Sequence, residues 1–150
     1  MDVNIEFAGG ADIPAMAALL QELFAREADF QPDLAKQCAG LRLILDQPER
    51  GRLFVLRAEG RVIGMANALT LVSTAEGAPV LLLEDLILAA EWRGRGLGRR
   101  LVEHICAWAA AQGMTRVTLL TGHDNHAAQA FYAAAGFRPS AMRVMRRALG

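Results

Sequence analysis

The sequence contains few of the residues that characterise several common classes of protein. Its 150 residues include one lysine, one tyrosine and two cysteines, and aromatic residues make up 6% of the chain. Without a lysine cluster or an aromatic platform, we expect no nucleic-acid partner. Cys38 and Cys106 lie far apart, with neither a disulfide framework nor the spacing of metal ligands, so we expect two reduced thiols and no metal site.

Long apolar runs are also missing. No apolar segment reaches the length that crosses a bilayer, and residues 1–6 lack the basic region and apolar core of a signal peptide. At 53% hydrophobic and 21% charged residues, the composition is that of a globular chain with a proper core. The sequence therefore predicts a single domain over residues 1–150, with a cytoplasmic location and no membrane partner.

Charge is unevenly distributed along a chain whose formal net charge is zero. Residues 1–92 carry 7 basic and 14 acidic side chains, whereas residues 93–150 carry 9 basic and 2 acidic ones. The basic part suits a polyanionic ligand. The acidic part suits a cationic substrate such as an amine, although a chance distribution of charge is the alternative.

The most informative segment is a glycine-rich turn, Arg93–Gly98, between a strand-like apolar run, 81–88, and a helical pattern, 99–112. Such a turn collects unpaired backbone N–H groups at a helix start, where the helix dipole adds partial positive charge. Arginines in and after the turn add full charges that suit phosphate oxygens. They are Arg93, Arg95, Arg99 and Arg100.

The spacing of the glycines distinguishes between phosphate-binding loops. A dinucleotide-binding G-x-G-x-x-G needs a third glycine where Arg99 stands, and a P-loop needs a lysine after its last glycine, whereas the lysine here is Lys36. The turn instead fits [Q/R]-x-x-G-x-[G/A], read as Arg93, Gly96 and Gly98. In this form it resembles the coenzyme A pyrophosphate loop of the GCN5-related N-acetyltransferase (GNAT) family. For the hexapeptide alone, a glycine-rich turn with solvated arginines is the alternative.

A second segment strengthens the resemblance. Asp124 or Asn125 can cap a short helix, and Gly136 stands where a left-handed C-terminal residue is expected. The family has a segment N-x-x-A-x-x-F-Y-x-x-x-G-F at about this distance after its loop, and here that pattern runs from Asn125 to Phe137. The chain is thus identified as a member of the GNAT family over about 83–137, whereas residues 1–80 resemble the family only in architecture.

The resemblance implies a fold and a co-substrate. The expected fold class is α/β, the GNAT fold, with a mixed, mostly antiparallel sheet flanked by helices on both faces. The expected co-substrate is acetyl-CoA, without a metal, and a homodimer is compatible with the family. By their positions in the motifs, the residues implied in cofactor binding are Leu86, Ile87, Leu88, Arg93, Gly94, Arg95, Gly96, Leu97, Gly98, Arg99, Asn125 and Tyr132. An ordinary buried strand remains the alternative for the three residues of 86–88, as does a simple N-cap for Asn125.

Hydrophobic periodicity and turn residues predict the individual elements. Helices are expected over 13–25, 34–45 and from the glycine loop to 112, followed by the short capped helix. Strands are expected over 3–8, 53–58, 61–71, 80–88 and 116–121, and one or two more within 137–148.

Tyr132 is the residue most directly implied in catalysis. It is the only tyrosine in the chain, and it falls on the general-acid position of the family motif. A phenol has a pKa of about 10, close enough to that of a thiol to protonate a departing thiolate. The alternative is a tyrosine at a helix–sheet boundary with its hydroxyl in water.

The general base is expected among two adjacent carboxylates, Glu84 and Asp85. Strand alternation would send them to opposite faces, with Glu84 sharing a face with Leu86 and Leu88. Carboxylates in an apolar strand are costly unless they are paired or functional. We expect Glu84 to act as the base, directly or through water, with Asp85 as its rival and both in contact with substrate. A structural pairing with arginine and a base role for His123 are the weaker alternatives.

The function implied is acetyl-CoA-dependent N-acetyl transfer to a primary amine of a small molecule, by direct attack in a ternary complex. No cysteine lies by the loop or by Tyr132, which disfavours a covalent acyl-enzyme. Two alternatives remain: a non-catalytic acyl-CoA sensor on the same fold, and a protein or peptide N-acetyltransferase.

Overall fold

A computed structural model describes residues 2–27 and 29–150 of the chain. The chain forms two compact units, residues 1–120 and residues 121–150. Within the described residues, the first unit contains a sheet and three α-helices, and the second contains one α-helix. Among the described residues, no helix combines the length and the apolar character needed to cross a membrane.

The helices and strands follow one another in the order predicted from the sequence, up to the last helix. In chain order the first unit contains β1 (Val3–Phe7), α1 (Ile13–Ala25), α2 (Leu34–Leu45), β2 (Gly51–Ala58), β3 (Arg61–Ser73), β4 (Ala78–Leu88), α3 (Leu97–Ala111) and β5 (Val117–Leu119). The second unit contains α4 (His126–Ala134). Short 3₁₀ turns precede α1, at Gly10–Asp12, and follow β4, at Ala90–Trp92.

The five strands form one sheet in the order β1-β2-β3-β4-β5. All neighbours are antiparallel except β4 and β5, which are parallel. The β2–β3 hairpin closes through Glu59 and Gly60, whose φ angles of +53° and +74° are those of a turn that matches strand twist. The sheet is therefore mixed and mostly antiparallel, as predicted.

Each face of the sheet carries its own apolar core. On one face, Leu101 and Ile105 of α3 pack with Phe54 and Leu81 of the sheet, all with side chains excluded from solvent. On the other face, α1 and α2 pack over Leu53, Val55 and Met65, joined by residues of both helices such as Met16 and Leu41. Burial of apolar surface on both sides explains the nearly continuous apolar character of β2 and β4. Helices on both faces confirm the predicted fold class.

The end of the chain differs from the prediction. One or two strands were expected within 137–148, but residues 138–150 contain no strand in the part of the chain that the structure describes. A strand is stabilised by hydrogen bonds to a neighbouring strand. Residues 121–150 provide a single helix and no strand of their own, so apolar alternation in this segment has no ladder to join within its unit.

Candidate functional site

The glycine-rich loop forms the anion-binding geometry that its sequence predicts. Gly94 and Gly96 both have φ of +77°, a left-handed conformation in which glycine is the favoured residue. Helix α3 begins directly after Gly96, and its first backbone hydrogen bond runs from the Arg100 amide to the Gly96 carbonyl, at 3.2 Å. The amides of the first turn, Leu97 to Arg99, precede that bond and point out of the helix end, where the dipole favours an anion.

The arginines around the loop are engaged with the fold. Arg93 donates from Nε to the Leu88 carbonyl, at 3.0 Å, and pairs through Nη2 with Glu22 of α1, at 2.7 Å. Arg93 thus ties the end of β4 to α1 and to the loop. Similarly, Arg95 lies over the ring of Trp92, at 4.8 Å from its centroid.

The remaining two arginines also have partners. Arg99 pairs with Glu103 one turn further along α3, at 2.8 Å, and Arg100 donates to the Val3 carbonyl, at 3.3 Å. Backbone amides therefore provide the donors of this loop that are least committed to the fold.

Strand β4 extends past the end of its neighbour β5. The parallel pairing joins Leu81 to Val117 and ends where Leu83 meets Leu119. Residues 84–88 continue towards the glycine loop, paired with β3 on one side and beyond the end of β5 on the other. An extended chain could therefore lie beside this stretch and bond to its backbone as an added strand.

A β-bulge interrupts β4 at the same place. Met65 of β3 pairs with Ile87, and Asn67 pairs with Glu84, so one residue of β3 lies opposite two of β4. One of those two is Asp85, whose φ of +55° lies in the left-handed region. Aspartate tolerates this conformation better than most residues, yet it is uncommon and tends to occur at functional sites.

The bulge shifts by one residue the pattern in which successive side chains of β4 point to opposite faces of the sheet. Before it, Leu83 packs in the core on the α3 side, and after it Leu86 and Leu88 do so. The prediction that Glu84 shares a face with Leu86 and Leu88, opposite to Asp85, is therefore wrong. Glu84 and Asp85 line the same cavity, on the side of the sheet covered by α1 and α2. Simple alternation fails here because it assumes one residue of β4 for each residue of β3.

This cavity has a volume of about 310 Å³ and lies within the first unit. Its apolar wall comes from α1, α2 and the segment between them, and consists of Leu20, Phe24, Phe30, Leu41 and Ile44. Its polar groups come from the sheet, with Asn67 beside Glu84 and Asp85, and from the start of α2 and the segment before it, with Gln31, Asp33, Lys36 and Gln37. Concave sites that are mostly apolar with a few polar groups are typical of small-molecule binding.

Asp85 titrates far from the usual range of an aspartate. Burial raises the pKa of its carboxyl to about 7, and repulsion from Glu84 and Glu27 adds to the increase. A hydrogen bond from Asn67 Nδ2 to Asp85 Oδ2, at 2.6 Å, opposes the rise in pKa because it stabilises the charged form. A carboxylate with a pKa near neutrality is matched to accept a proton from an amine.

Asn67 is a polar residue that the sequence analysis missed. Its side chain is 5% exposed, and its Oδ1 has no hydrogen-bond partner among the described residues. The signal was present in the sequence, since Asn67 is the only amide side chain in the otherwise apolar stretch 62–69. Its importance follows from the pairing of β3 with β4, which sequence alone does not provide.

The other predicted residues, Asn125 and Tyr132, belong to the second unit. Asn125 caps α4, accepting through Oδ1 from the Ala128 amide at 3.1 Å, which settles the choice between it and Asp124 as the capping residue. Tyr132 lies on α4, and the centroid of its ring is 5.1 Å from that of Phe131 and 5.8 Å from that of Phe137. Ring packing on both sides restricts the orientation of the Tyr132 phenol.

Known proteins resemble this chain in sequence and in fold. The description "Acetyltransferase (GNAT) family" belongs to the sequence profile that matches residues 14–137. N-acetyltransferase family 8 member 2 of Rattus norvegicus is 29% identical over 103 residues, which are 67% of this chain and 46% of that protein. The chain thus spans less than half the length of this relative.

Two further relatives match over most of their own length. Aminoglycoside N(6')-acetyltransferase type 1 of Salmonella typhimurium is 25% identical over 119 residues, covering 77% of this chain and 81% of that protein. The solved structure of AAC(6')-Iy with a coenzyme A bisubstrate analogue has a TM-score of 0.82 at 22% identity, with full coverage of both chains, and so shows the same fold. The family profile covers most of the chain and includes both the glycine loop and the segment around Tyr132, and on that basis the chain belongs to the acetyltransferase (GNAT) family.

Proposed function

We propose that the protein is an acetyl-CoA-dependent N-acetyltransferase that acetylates a primary amine of a small molecule by direct attack in a ternary complex. The observation that carries this proposal is the path of β4, which passes beyond β5 and leads through Arg93 into a glycine turn at the start of a helix. The two halves of coenzyme A, an extended arm and a pyrophosphate, match the two halves of this path.

In this proposal the pyrophosphate binds to the amides of the glycine loop, residues 94–99. The pantetheine arm pairs with the backbone of residues 86–88, past the end of β5. By their positions in the family motif, Asn125 and Tyr132 are proposed as further cofactor-binding residues. The bisubstrate complex of AAC(6')-Iy supports coenzyme A as the ligand of this fold.

The acetyl transfer proposed here moves three protons. Asp85, or Glu84 beside it, accepts a proton from the ammonium of the acceptor, and the neutral nitrogen attacks the thioester carbonyl carbon. The C–S bond then breaks, the acetyl group stays on nitrogen, and the thiolate of coenzyme A takes a proton from the Tyr132 phenol. The second proton that the nitrogen loses as it becomes an amide passes through water to the Tyr132 phenolate and restores the phenol. Of the two carboxylates, Asp85 is the stronger candidate for the base, because its pKa of about 7 lies near working pH.

Names of relatives support an amine acceptor. The Salmonella typhimurium relative is described as acting on aminoglycosides, and the Rattus norvegicus relative as an N-acetyltransferase. A cytoplasmic location stays a prediction from the composition and the N-terminal sequence, and a homodimer stays a prediction from the family resemblance.

The experiment that tests the proposal separates turnover from binding in a Tyr132→Phe variant. An enzyme that uses Tyr132 as its acid loses most of its amine-dependent release of coenzyme A, by at least tenfold, while the affinity for acetyl-CoA measured by calorimetry stays within about twofold. Equal turnover in the variant and the wild type would show that another group protonates the thiolate. Acetyl-CoA binding without turnover in either protein would favour the sensor.

A further inference from the structure

The carboxamide of Asn67 uses one half of its hydrogen-bonding capacity. Its Nδ2 donates to Asp85 Oδ2 at 2.6 Å, whereas its Oδ1 is buried without a partner among the described residues. Most buried carbonyl oxygens are hydrogen-bonded, and an exception needs an explanation. Asn67 lines the cavity beside Asp85, so a ligand in the cavity could supply the missing donor.

Other polar side chains around the cavity are used by the fold. Gln37 donates from Nε2 to the Ala17 carbonyl at 2.8 Å, and its Oε1 accepts from the Asp33 amide at 2.8 Å. The Asp33 carboxylate caps α2, accepting from the Lys36 amide at 3.1 Å. These bonds hold α2 in place, and they contrast with the uncommitted Oδ1 of Asn67.

The rest of the cavity suits an acceptor with an apolar body and a positively charged amino group. Phe24 and Phe30 form a tilted ring pair in its wall, with centroids 5.3 Å apart. Lys36 is the only basic residue that lines the cavity in the described part of the chain. Against this one basic residue stand three carboxylates of the lining, those of Asp33, Glu84 and Asp85, so the cavity suits a positively charged amine attached to an apolar body.

We propose that Asn67 is a specificity-determining residue that binds the acceptor's amino group through Oδ1, and that the acceptor is a primary amine on a compact apolar or aromatic body. This inference rests on the proposed function, and it names the substrate class of the same site. A primary ammonium has three N–H donors, enough to reach Asn67 Oδ1 and the Asp85 carboxylate together. A tertiary ammonium has one donor and satisfies only one of the two acceptors.

The test uses two probes that differ only at nitrogen, 2-phenylethylamine and its N,N-dimethyl derivative. Their dissociation constants are measured by calorimetry at pH 7 with coenzyme A present, for the wild type, Asn67→Ala and Asn4→Ala. Asn4 lies exposed on β1 and provides the same substitution away from the cavity.

The wild type is expected to bind the primary amine at least tenfold more tightly than the tertiary one, because a site built to accept N–H bonds rejects a ligand that lacks them. In Asn67→Ala the affinity for the primary amine falls about tenfold, and the ratio of the dissociation constants of the two probes approaches one. In Asn4→Ala both constants stay within twofold of the wild type. If Asn67→Ala fails to fold, the wild-type preference decides alone.

Three results would overturn the inference: equal wild-type affinities for the two probes, no binding of either probe, or an unchanged preference in folded Asn67→Ala. Release of coenzyme A from acetyl-CoA, assayed in parallel, separates this inference from the proposed function. The expected binding pattern without release refutes the acetyl transfer and leaves the pocket assignment standing. Release with other amines, without binding of 2-phenylethylamine, supports the acetyl transfer and refutes the pocket assignment.

A pH profile distinguishes a role at Asp85 from a general loss of packing. The Asn67 hydrogen bond lowers the pKa of Asp85, so Asn67→Ala should move the acid limb of kcat/KM to higher pH. The other charged groups around Asp85 are Glu84 on β4, Glu27 after α1, and Asp33 and Lys36 at the start of α2. All of them are unchanged in both variants, so a shift in Asn67→Ala that is absent from Asn4→Ala reports on Asn67.

Discussion

Replacing Asp85 by asparagine should stabilise the protein, and more so as pH rises. The carboxyl has a pKa of about 7 in the folded chain, against an ordinary value of about 3.9 when unfolded. Between those values the folded state holds a proton that the unfolded state has lost, so the wild type loses stability as pH rises from about 4 to about 7. The neutral asparagine keeps a carbonyl oxygen for the Asn67 donor and does not titrate.

The size of the effect follows from the pKa difference of about three units. Linkage gives a penalty on the wild type of up to about 1.5 kcal/mol at pH 5 and up to about 4 kcal/mol at pH 8. The free energy of unfolding of Asp85→Asn relative to that of the wild type should therefore increase by about 2–3 kcal/mol from pH 5 to pH 8. The same variant should lose acetyl transfer, since a base has been removed from the site.

The assay is urea denaturation at both pH values, followed by the fluorescence of Trp92 and Trp108, for the wild type, Asp85→Asn and Asp46→Asn. Asp46 is an exposed carboxylate after α2, and its replacement should leave the pH dependence of stability unchanged. An Asp85→Asn variant whose stability relative to the wild type is the same at pH 5 and pH 8 would refute the reasoning. It would mean that Asp85 ionises at an ordinary pKa in the folded protein.

Two further predictions concern the loop and the base. Gly96→Ala places a side chain at φ +77°, where open space surrounds the new methyl group and the cost is conformational, about 1–2 kcal/mol. Calorimetry should show that Gly96→Ala binds acetyl-CoA at least tenfold more weakly than the wild type. The control Gly60→Ala, with φ +74° in the β2–β3 turn, should bind acetyl-CoA as the wild type does. Equal affinities of the two variants would exclude the loop from the cofactor site. If Asp85 is the base, the wild-type kcat/KM should fall about tenfold per pH unit below about pH 7, and a flat profile from pH 5 to pH 8 would exclude it.

Local sequence signals predicted most of the fold. The bounds of α1 and α2 match the expectations at both ends, because a capping aspartate or a proline marks each start and the apolar period marks each body. The strand, glycine turn and helix around Arg93 were also predicted, since each rests on contiguous residues. A cap of α4 by Asp124 or Asn125 was also predicted, and the structure assigns it to Asn125.

The parts that were not predicted depend on residues far apart in sequence. The bulge at Asp85 is a property of the β3–β4 register, and no pattern within β4 alone reveals it. For the same reason the sequence placed Glu84 and Asp85 on opposite faces and passed over Asn67. The strands expected after Phe137 failed because alternation describes a strand's side chains but does not supply its partner.

The central claim is that a chain with this loop and strand transfers acetyl groups to amines. The most direct test is the release of coenzyme A from acetyl-CoA by the purified protein across a panel of amines. The panel includes phenylethylamines, polyamines, amino acids, aminosugars with aminoglycosides, aminoalkylphosphonates and lysine peptides. An N-acetyltransferase should give saturable, amine-dependent release matched by an equal amount of N-acetylated product. Tight binding of acetyl-CoA with no amine-dependent release from any member of the panel would contradict the central claim.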